Sequence, residues 1–354
     1  MPSAITEATE ANRWASDKRN LRRKLVVILW CMKVVVGVVR GGPSSEYEVS
    51  LKTGASVIKN LHPEKYSPRD IFVDRKGEWH LHGTAVTPEQ ALRGTDVVFN
   101  AMHGDYGEDG QLQRALDKLG VAYTGSDAHA SALAFNKHNT KVEVKKLGIK
   151  TPRALVVEEP DDVEAMAFDI FRTFPHPAIV KPVSGGSSVA TSKADSYHAL
   201  AWALKQAFAV SPKVLVEEYI KGREATVGVI DNFRNEQTYV LMPVEIIPPP
   251  EHSFFNYEAK YGGATTERVP GNFSDTQKKE LADMARTVHE GLGLSHYSRS
   301  DFIISPRGTY FLEVNTLPGL TEESLLPKAV EAVGSSLEGF LDHVITLARA
   351  GKKG

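Results

Sequence analysis

Features that would assign this chain of 354 residues to several common classes of protein are scarce or absent. Its single cysteine, Cys31, excludes a disulfide framework and a thiolate metal cluster, and it fits a reducing cytosol. No apolar run reaches the ~20 residues that a membrane-spanning helix needs. A formal net charge of −2 gives no reason to expect nucleic acid as a partner. The H-E-x-x-H zinc motif and the Walker A motif are also missing.

The segment 1–32 needs a separate interpretation. It places basic residues before a short apolar run, which is the outline of a signal peptide. Lys33 interrupts that run, however, and no small-residue cleavage site follows. We therefore expect a poorly ordered extension, with Met32 as an alternative first residue, and an export signal is the less favoured alternative.

Strand and helix patterns alternate through the rest of the chain. The composition, 42% hydrophobic with 28 Gly and 19 Pro, is that of a globular protein with a full core. Continuous β-branched or apolar runs at 33–39 and 96–104 predict buried strands. Helices are predicted over 46–61 and 110–120, the second ending at Gly120. This order predicts an α/β first domain with functional loops at the carboxyl ends of its strands.

The later part of the chain predicts two further α/β (α+β) units. Helices are predicted over 127–147, 195–209, 274–293 and 335–349, and strands over 176–182, 189–193, 213–220, 224–247, 299–305 and 309–315. The Pro/Gly-rich segment 248–271 is too long for an ordinary connection, so we expect a lid or a binding loop there. The predicted divisions are the extension 1–32, an N-terminal substrate domain 33–136, a central domain 137–217 and a C-terminal domain 218–350.

The stretch "KPVSGGSSVA", residues 181–190, is typical of a phosphate-binding loop. Its glycines and serines offer backbone N–H groups and hydroxyls without bulk, which allows close approach to phosphate oxygens. Lys181, at the end of an apolar strand, can direct a positive charge at the same phosphates. The alternative is a flexible hairpin turn, and the residues alone do not decide between the two.

Acidic residues follow in "VLVEEYIKGRE", residues 214–224. Glu217 and Glu224 could accept hydrogen bonds from an adenine amine and a ribose hydroxyl. Taken alone, both are better explained as solvated carboxylates.

Three oxygen-bearing side chains on predicted neighbouring strands suggest a metal site. Asp301 lies in "SRSDF", and Glu313 with Asn315 lies in "FLEVNTLPGLTEES". Alternate residues of a strand share a face, and a few rigid oxygen ligands suit Mg²⁺ that keeps waters and shares phosphate oxygens. The alternative is a buried carboxylate paired with Arg299. Two carboxylates with one arginine would be under-neutralised, so we favour a metal.

Two residues near the N-terminus could contact a substrate. His103 lies in "MHGDYGEDGQLQ", whose glycines permit close backbone approach, although a lone histidine is more often structural. Glu46 lies in "GGPSSEYEVS" and could cap the following helix or face a substrate amine.

Together these stretches resemble the D-alanine–D-alanine ligase family of the ATP-grasp superfamily. The matching motifs, in the family's order, are "GGPSSEYEVSLKTG", "MHGDYGEDG", "YTGS", "IVKP…GSSV", "YEAKY", "SRSDF" and "FLEVNTLPGLTEES". The resemblance extends from about Lys33 to about Ala350. It implies an ATP-grasp fold of three α/β domains, with the nucleotide held between the central and C-terminal domains.

The resemblance also implies a role for each matching residue. The ATP-binding residues would be Lys137, Lys181, Ser187, Ser188, Glu217, Ile220, Glu224 and Lys260. The ligands of two Mg²⁺ (or Mn²⁺) ions would be Asp301, Glu313 and Asn315. The residues that bind the substrates would be Glu46, His103, Ser324 and Leu325. The catalytic residues would be Glu46, Ser187, Ser188, Tyr261, Arg299 and Gly319, with Arg299 and the Gly319 N–H as the oxyanion hole.

The implied activity is ATP-dependent ligation of two D-alanines through an acyl phosphate, for peptidoglycan precursor synthesis, by a cytoplasmic homodimer. One alternative is the same chemistry with D-lactate or D-serine as second substrate, but the intact "EAKY" with Tyr261 favours D-alanine. The other is a non-catalytic nucleotide-binding ATP-grasp protein. Retention of Lys181, Arg299 and the three metal-ligand positions speaks against it.

Some positions depart from the family pattern. Ala190 stands where a glycine commonly closes the phosphate loop, and Asn136 stands before Lys137 where Asp is usual. Arg114 replaces a customary glycine, and the residues flanking Arg299 are Ser298 and Ser300. These departures affect the expected rate and loop geometry more than the reaction type.

Overall fold

The computed structural model describes residues 33–186, 190–248 and 266–351. The predicted extension 1–32 lies outside the described residues, as do Ser187, Ser188, Lys260 and Tyr261. The described parts of the chain form a mixed α/β structure with three sheets. Among the helices of these parts, none has the length and apolar character needed to cross a membrane.

The first sheet has the order β4-β3-β2-β1-β5, with β1 parallel to both β2 and β5. Its strands are β1 (Val34–Gly41), β2 (Tyr66–Val73), β3 (Trp79–Leu81), β4 (Thr84–Val86) and β5 (Val97–Asn100). The helices of this part are α1 (Tyr47–Asn60), α2 (Pro88–Leu92) and α3 (Gln111–Lys118). Gly120 follows α3 with φ +62°, which confirms it as the residue that ends this helix.

The predicted strand 96–104 is too long at its carboxyl end, because β5 stops at Asn100. The Asn100 side chain accepts the Met102 N–H at 3.1 Å and donates to the Gly107 carbonyl at 2.9 Å. These bonds replace the strand ladder with a local loop. The turn brings His103 to the end of the sheet rather than into it.

The single helix predicted over 127–147 is wrong. The chain forms two helices, α4 (Ala128–Phe135) and α5 (Lys137–Lys146). Asn136 between them is extended, with φ −90° and ψ 101°, and its side chain accepts the Asn139 N–H at 3.0 Å. Asn136 is therefore the N-cap of α5, a position that asparagine strongly favours.

The central sheet is antiparallel, with the order β6-β9-β7-β8. Its strands are β6 (Ala154–Glu158), β7 (Ala178–Pro182), β8 (Ser192–Ala194) and β9 (Lys213–Glu218), covered by α6 (Val163–Thr173) and α7 (Tyr197–Phe208). Ile179 pairs with Glu217, and Lys181 pairs with Leu215. Because alternate residues share a face, Lys181 and Glu217 are diagonal neighbours on the same side of this sheet.

The third sheet follows the order β13-β12-β10-β14-β15, with β11 also paired to β10. Its strands are β10 (Arg223–Phe233), β11 (Glu236–Val240), β12 (Val244–Ile247), β13 (Thr266–Arg268), β14 (Tyr297–Ser305) and β15 (Gly308–Asn315). The later helices are α8 (Asp275–Gly291), α9 (Leu325–Ala332) and α10 (Leu337–Gly351). The loop predicted over 248–271 is wrong at 266–268, because β13 pairs there with β12.

Buried clusters connect these sheets. Phe340 and Val344 of α10 share one apolar cluster with Val36 of β1. Val144 of α5 is buried in the cluster formed by the third sheet and α8. Helices therefore pack on sheets that lie outside their own predicted domains, and the boundaries at 136 and 217 stay a prediction.

Candidate active site

One large cleft, with a volume of about 1220 Å³, is lined by residues from all three sheets. Every predicted site residue in the described parts of the chain lines it. These residues are Glu46, His103, Lys137, Lys181, Glu217, Ile220, Glu224, Arg299, Asp301, Glu313, Asn315, Gly319, Ser324 and Leu325. Positions predicted from separate motifs thus converge on a single cavity.

At one end of the cleft a buried carboxylate bridges two lysines. Oε2 of Glu217 lies 2.9 Å from Nζ of Lys181, and Oε1 lies 2.8 Å from Nζ of Lys141. Burial opposes the charge on Glu217, but the two lysines outweigh burial and lower its pKa. The interpretation of Glu217 as a solvated carboxylate is therefore wrong. Glu224, on β10, is half-buried and faces the same cleft.

Lys137 connects the predicted phosphate loop to the third sheet. Its Nζ donates to the Gly185 carbonyl at 2.5 Å and lies 3.9 Å from Oε2 of Glu313. Its backbone N–H donates to the Val183 carbonyl at 2.9 Å. The start of α5 is thereby fixed against the first residues of the loop. Its ammonium faces the space between loop and strand, where a phosphate would need positive charge.

Ile220 lies beyond β9 and contributes an apolar surface. It is buried in a small cluster with Ile303 and Tyr310 of the third sheet. An apolar surface beside polar strand ends is a suitable environment for an aromatic base.

The acidic end of the cleft is built on two neighbouring strands. Across β14 and β15, Asp301 pairs with Glu313 and Arg299 pairs with Asn315. Nε and Nη2 of Arg299 each donate at 3.1 Å to one oxygen of Asp301. The ion pair left open as the alternative to metal binding is thus present.

The oxygen atoms of this acidic face could also bind a divalent cation. Each carboxylate oxygen has two lone pairs, so Asp301 can bind a cation while it accepts from Arg299. Glu313 and Asn315 add a carboxylate and an amide oxygen on the same face of the sheet. Hard oxygen donors from rigid strands, few enough to leave positions for phosphate oxygens, are what Mg²⁺ prefers.

Glu46 and His103 are residues of the first sheet's loops that line the cleft, near the ends of β1 and β5. The Glu46 side chain makes no capping hydrogen bond to α1, so the capping interpretation is wrong. A Cβ added at Gly186 would lie 1.9 Å from Oε2 of Glu46, so the Glu46 carboxylate packs directly on this glycine and would have to move for a larger residue. Nε2 of His103 lies 2.8 Å from Oγ1 of Thr53, and burial lowers the His103 pKa, which favours neutral imidazole.

Glu108 is a buried cleft residue that the sequence analysis missed. Its carboxylate accepts the Gly104 N–H at 2.7 Å and the Leu317 N–H at 3.3 Å, so it joins the loops that follow β5 and β15. Burial, with the nearby Glu46, raises the pKa of Glu108 to about 8. Its motif also holds Asp105 and Asp109, and nothing in the sequence indicated which acid turns inward.

The turn after β15 forms the last wall of the cleft. Oγ of Ser324, at the start of α9, accepts the Thr321 N–H at 3.1 Å. A Cβ added at Gly319 would lie 2.9 Å from that Oγ, so the Pro-Gly turn brings Gly319 against Ser324. Lys328, which was also missed, bridges Glu267 of β13 at 2.8 Å and Glu323 at 3.3 Å.

Two further departures from the family pattern can be followed in the structure. Ala190 has φ +53°, the left-handed conformation that glycine adopts easily, and it costs a non-glycine residue about 1 kcal/mol. Ser298 is buried with its Oγ 2.7 Å from Nδ1 of His289, whose Nε2 lies 3.0 Å from Oδ1 of Asp231. The polar serine beside Arg299 is therefore matched by a polar partner.

Comparisons with known proteins agree with this geometry. The family model "D-ala D-ala ligase C-terminus" matches residues 144–346, and "D-ala D-ala ligase N-terminus" matches 35–91 and 83–126. The chain is 39% identical over 316 residues to a D-alanine–D-alanine ligase of Burkholderia cenocepacia, covering 88% of this chain and 95% of the relative. It is 35% identical over 327 residues to one of Flavobacterium psychrophilum, covering 90% and 98%.

Solved structures show the same fold. The VanG D-Ala:D-Ser ligase from Enterococcus faecalis superposes with a TM-score of 0.76 at 29% identity, covering 90% of this chain and all of that one. The D-alanine–D-alanine ligase from Coxiella burnetii superposes with a TM-score of 0.76 at 27% identity, covering 90% and 94%. The fold and the cleft thus define an ATP-dependent ligase with the ATP-grasp fold. The chain belongs to the D-alanine–D-alanine ligase family.

Proposed function

We propose that this enzyme joins two D-alanine molecules into D-alanyl-D-alanine, with ATP and through an acyl phosphate, as a step in peptidoglycan precursor synthesis. The observation that carries the proposal is the single cleft. Among the described residues, it brings together those predicted for nucleotide, metal and both amino-acid substrates. Family membership supports the same activity.

The first chemical step needs concentrated positive charge. A carboxylate is a poor electrophile because its leaving group would be an oxide, so attack on the γ-phosphate converts it into an acyl phosphate with a good leaving group. Negative charge develops on the phosphoryl oxygens during that attack. Lys137, Lys181 and Arg299 face the cleft and would stabilise this charge.

Asp301, Glu313 and Asn315 would hold two Mg²⁺ (or Mn²⁺) ions. When bound, these ions would neutralise and orient the phosphate oxygens. Arg299 orients Asp301 from the side through two parallel hydrogen bonds. Thr226 adds a third bond, from its hydroxyl to Oδ1 of Asp301 at 2.5 Å.

The two amino acids would bind on either side of the acyl carbon. Glu46 would anchor the ammonium of the first D-alanine, and neutral His103 lines that subsite. Ser324 and Leu325 would receive the carboxylate of the second, at the start of α9 where helix N–H groups attract anions. Attack by the second amine produces a tetrahedral oxyanion, which Arg299 and the Gly319 N–H would stabilise.

Residues outside the described parts of the chain complete the proposal. Ser187 and Ser188 would bind the ATP phosphates. Lys260 and Tyr261 would close over ATP, with Tyr261 in a hydrogen-bonded triad with Glu46 and a loop serine. Exclusion of water is the reason for such a closure, because water would hydrolyse the acyl phosphate. Glu217, Ile220 and Glu224 would hold the adenine and the ribose.

Phosphate release from ATP, measured with different amino acids together with mass spectrometry of the ligated products, tests the proposed activity. The VanG relative is a D-Ala:D-Ser ligase, so D-serine and D-lactate are each added together with D-alanine. We expect D-alanine, without a second amino acid, to stimulate phosphate release. L-alanine should give only the background rate. Addition of D-serine or D-lactate to D-alanine should give no new product. Absence of stimulation by D-alanine would contradict ligation. A mixed product in preference to the D-alanine dipeptide would establish the alternative second substrate.

We also propose, from the family resemblance, that the enzyme is a cytoplasmic homodimer with no nucleic-acid partner. The three-domain division at 136 and 217 belongs to the same proposal.

A further inference from the structure

Lys141 lies directly behind the active site. It is on α5, one helical turn after Lys137, and is only 2% exposed. Lys141 is not among the residues that line the cleft, whereas its partner Glu217 is. A buried ammonium is unfavourable compared with an apolar side chain of similar volume, and burial lowers the Lys141 pKa to about 8. The groups that Lys141 contacts must therefore compensate for the cost of burying its charge.

The first contact of Lys141 is with the carboxylate that holds Lys181. Nζ of Lys141 lies 2.8 Å from one oxygen of Glu217, and Nζ of Lys181 lies 2.9 Å from the other. All three side chains are at least nine-tenths buried. With one oxygen fixed by Lys141, Glu217 presents the other in a defined direction. The position of the Lys181 ammonium in the cleft therefore depends on Lys141.

The second contact is with an irregularity in β15. Asp301 pairs with Glu313, but Phe302 pairs with Phe311, so Leu312 is an extra residue in the ladder. Nζ of Lys141 donates to the Leu312 carbonyl at 2.9 Å. The bulge immediately precedes Glu313, so the same ammonium fixes the point at which the strand presents that carboxylate. One side chain thus contacts elements of both the central and the third sheet.

We propose that Lys141 is a positioning residue that holds the nucleotide-binding Lys181 and the Glu313 carboxylate in one common geometry. The proposal rests on the proposed function, because it takes Lys181 and Glu313 as contacts of ATP and of its metal ions. Loss of Lys141 should weaken nucleotide binding through both partners. The Glu46 and His103 side of the cleft, built on the first sheet, should be unaffected.

The test compares Lys141→Met with Lys145→Met, a change to an exposed lysine on the same helix. Binding of ADP with Mg²⁺ is measured by calorimetry, and Michaelis constants for ATP and D-alanine are measured by phosphate release. For Lys141→Met we expect the dissociation constant of ADP and the KM for ATP to rise on the order of tenfold, as for loss of a supporting contact. The KM for D-alanine at the first subsite should stay within about twofold, and Lys145→Met should resemble the unchanged protein.

Two results would overturn the proposal. One is an unchanged ADP affinity in folded Lys141→Met. The other is a fall in kcat in proportion to the fraction of folded protein, with the KM for ATP unchanged. Destabilisation would produce that result, because it removes active enzyme without changing KM. If Lys141→Met is insoluble, Lys141→Gln carries the same test, since its side chain is one bond shorter and uncharged, so it loses the ion pair with Glu217 while it keeps a polar end in the buried site. ADP binding needs no D-alanine, so this measurement stands even if the ligation assay fails.

Discussion

Replacing Arg299 with methionine is expected to lower kcat on the order of 10³-fold, the largest effect that loss of one oxyanion donor usually produces. The guanidinium is buried in the cleft and is held by both oxygens of Asp301, so its position is fixed before substrate arrives. It would neutralise charge in phosphoryl transfer and again in the tetrahedral oxyanion. Steady-state kinetics with saturating ATP and D-alanine give the measurement.

The Arg299 experiment needs two controls. Removing one partner of a buried ion pair costs about 3–5 kcal/mol of folding free energy, so kcat is normalised to folded protein measured by circular dichroism. Arg286→Met removes an arginine of α8 that does not line the cleft, and it should leave kcat within about twofold of the original. Retention of more than a tenth of kcat in folded Arg299→Met would contradict the role assigned to Arg299.

Replacing Glu313 with glutamine is expected to reduce turnover on the order of 10³-fold, because a metal ligand contributes several kcal/mol of charge stabilisation. Glutamine has nearly the same shape, so β15 should keep its pairing with β14. Raising the Mg²⁺ concentration should recover part of the activity, since the weakened site needs more metal to fill. The measurement is kcat as a function of Mg²⁺ concentration.

Glu331→Gln is the matched control for Glu313→Gln. Glu331 is an exposed carboxylate of α9 that does not line the cleft, so its loss should change neither kcat nor the Mg²⁺ dependence. If Glu313→Gln keeps near-normal turnover at ordinary Mg²⁺, the metal assignment is wrong. In that case the acidic face would be explained by its ion pairs, between Arg299 and Asp301 and between Lys137 and Glu313.

Much of the fold follows from local patterns in the sequence. The apolar run at 33–39 predicts a strand buried on both faces, and β1 is that strand. Asn136 shows the limit of periodicity. The apolar spacing continues through it, but its side chain competes for backbone N–H groups and divides the helix in two. The short strands β3 and β4 were missed because three residues hold too little alternation to be recognised.

The role of a cleft residue could be predicted where its own motif indicates the chemistry. It could not be predicted where the role depends on which distant residues surround the side chain after folding. Glu313 and Asn315 could be placed on one face because strand alternation fixes their direction, and Asp301 joins them because it pairs with Glu313 across the inferred hairpin. Glu217 looked solvated because its two lysines come from distant parts of the chain. Lys141 was missed for the same reason, because the helix pattern does not reveal a contact with the carbonyl of Leu312.

The central claim is that this cleft activates a carboxylate by phosphorylation. The most direct test uses D-alanine labelled with ¹⁸O in its carboxylate, with unlabelled ATP, and measures both products by mass spectrometry. The acyl C–O bond breaks when the second amine attacks, so one ¹⁸O atom should appear in each inorganic phosphate, in equal amount to D-alanyl-D-alanine. Unlabelled phosphate formed alongside the dipeptide, or phosphate formed without any dipeptide, would contradict the account.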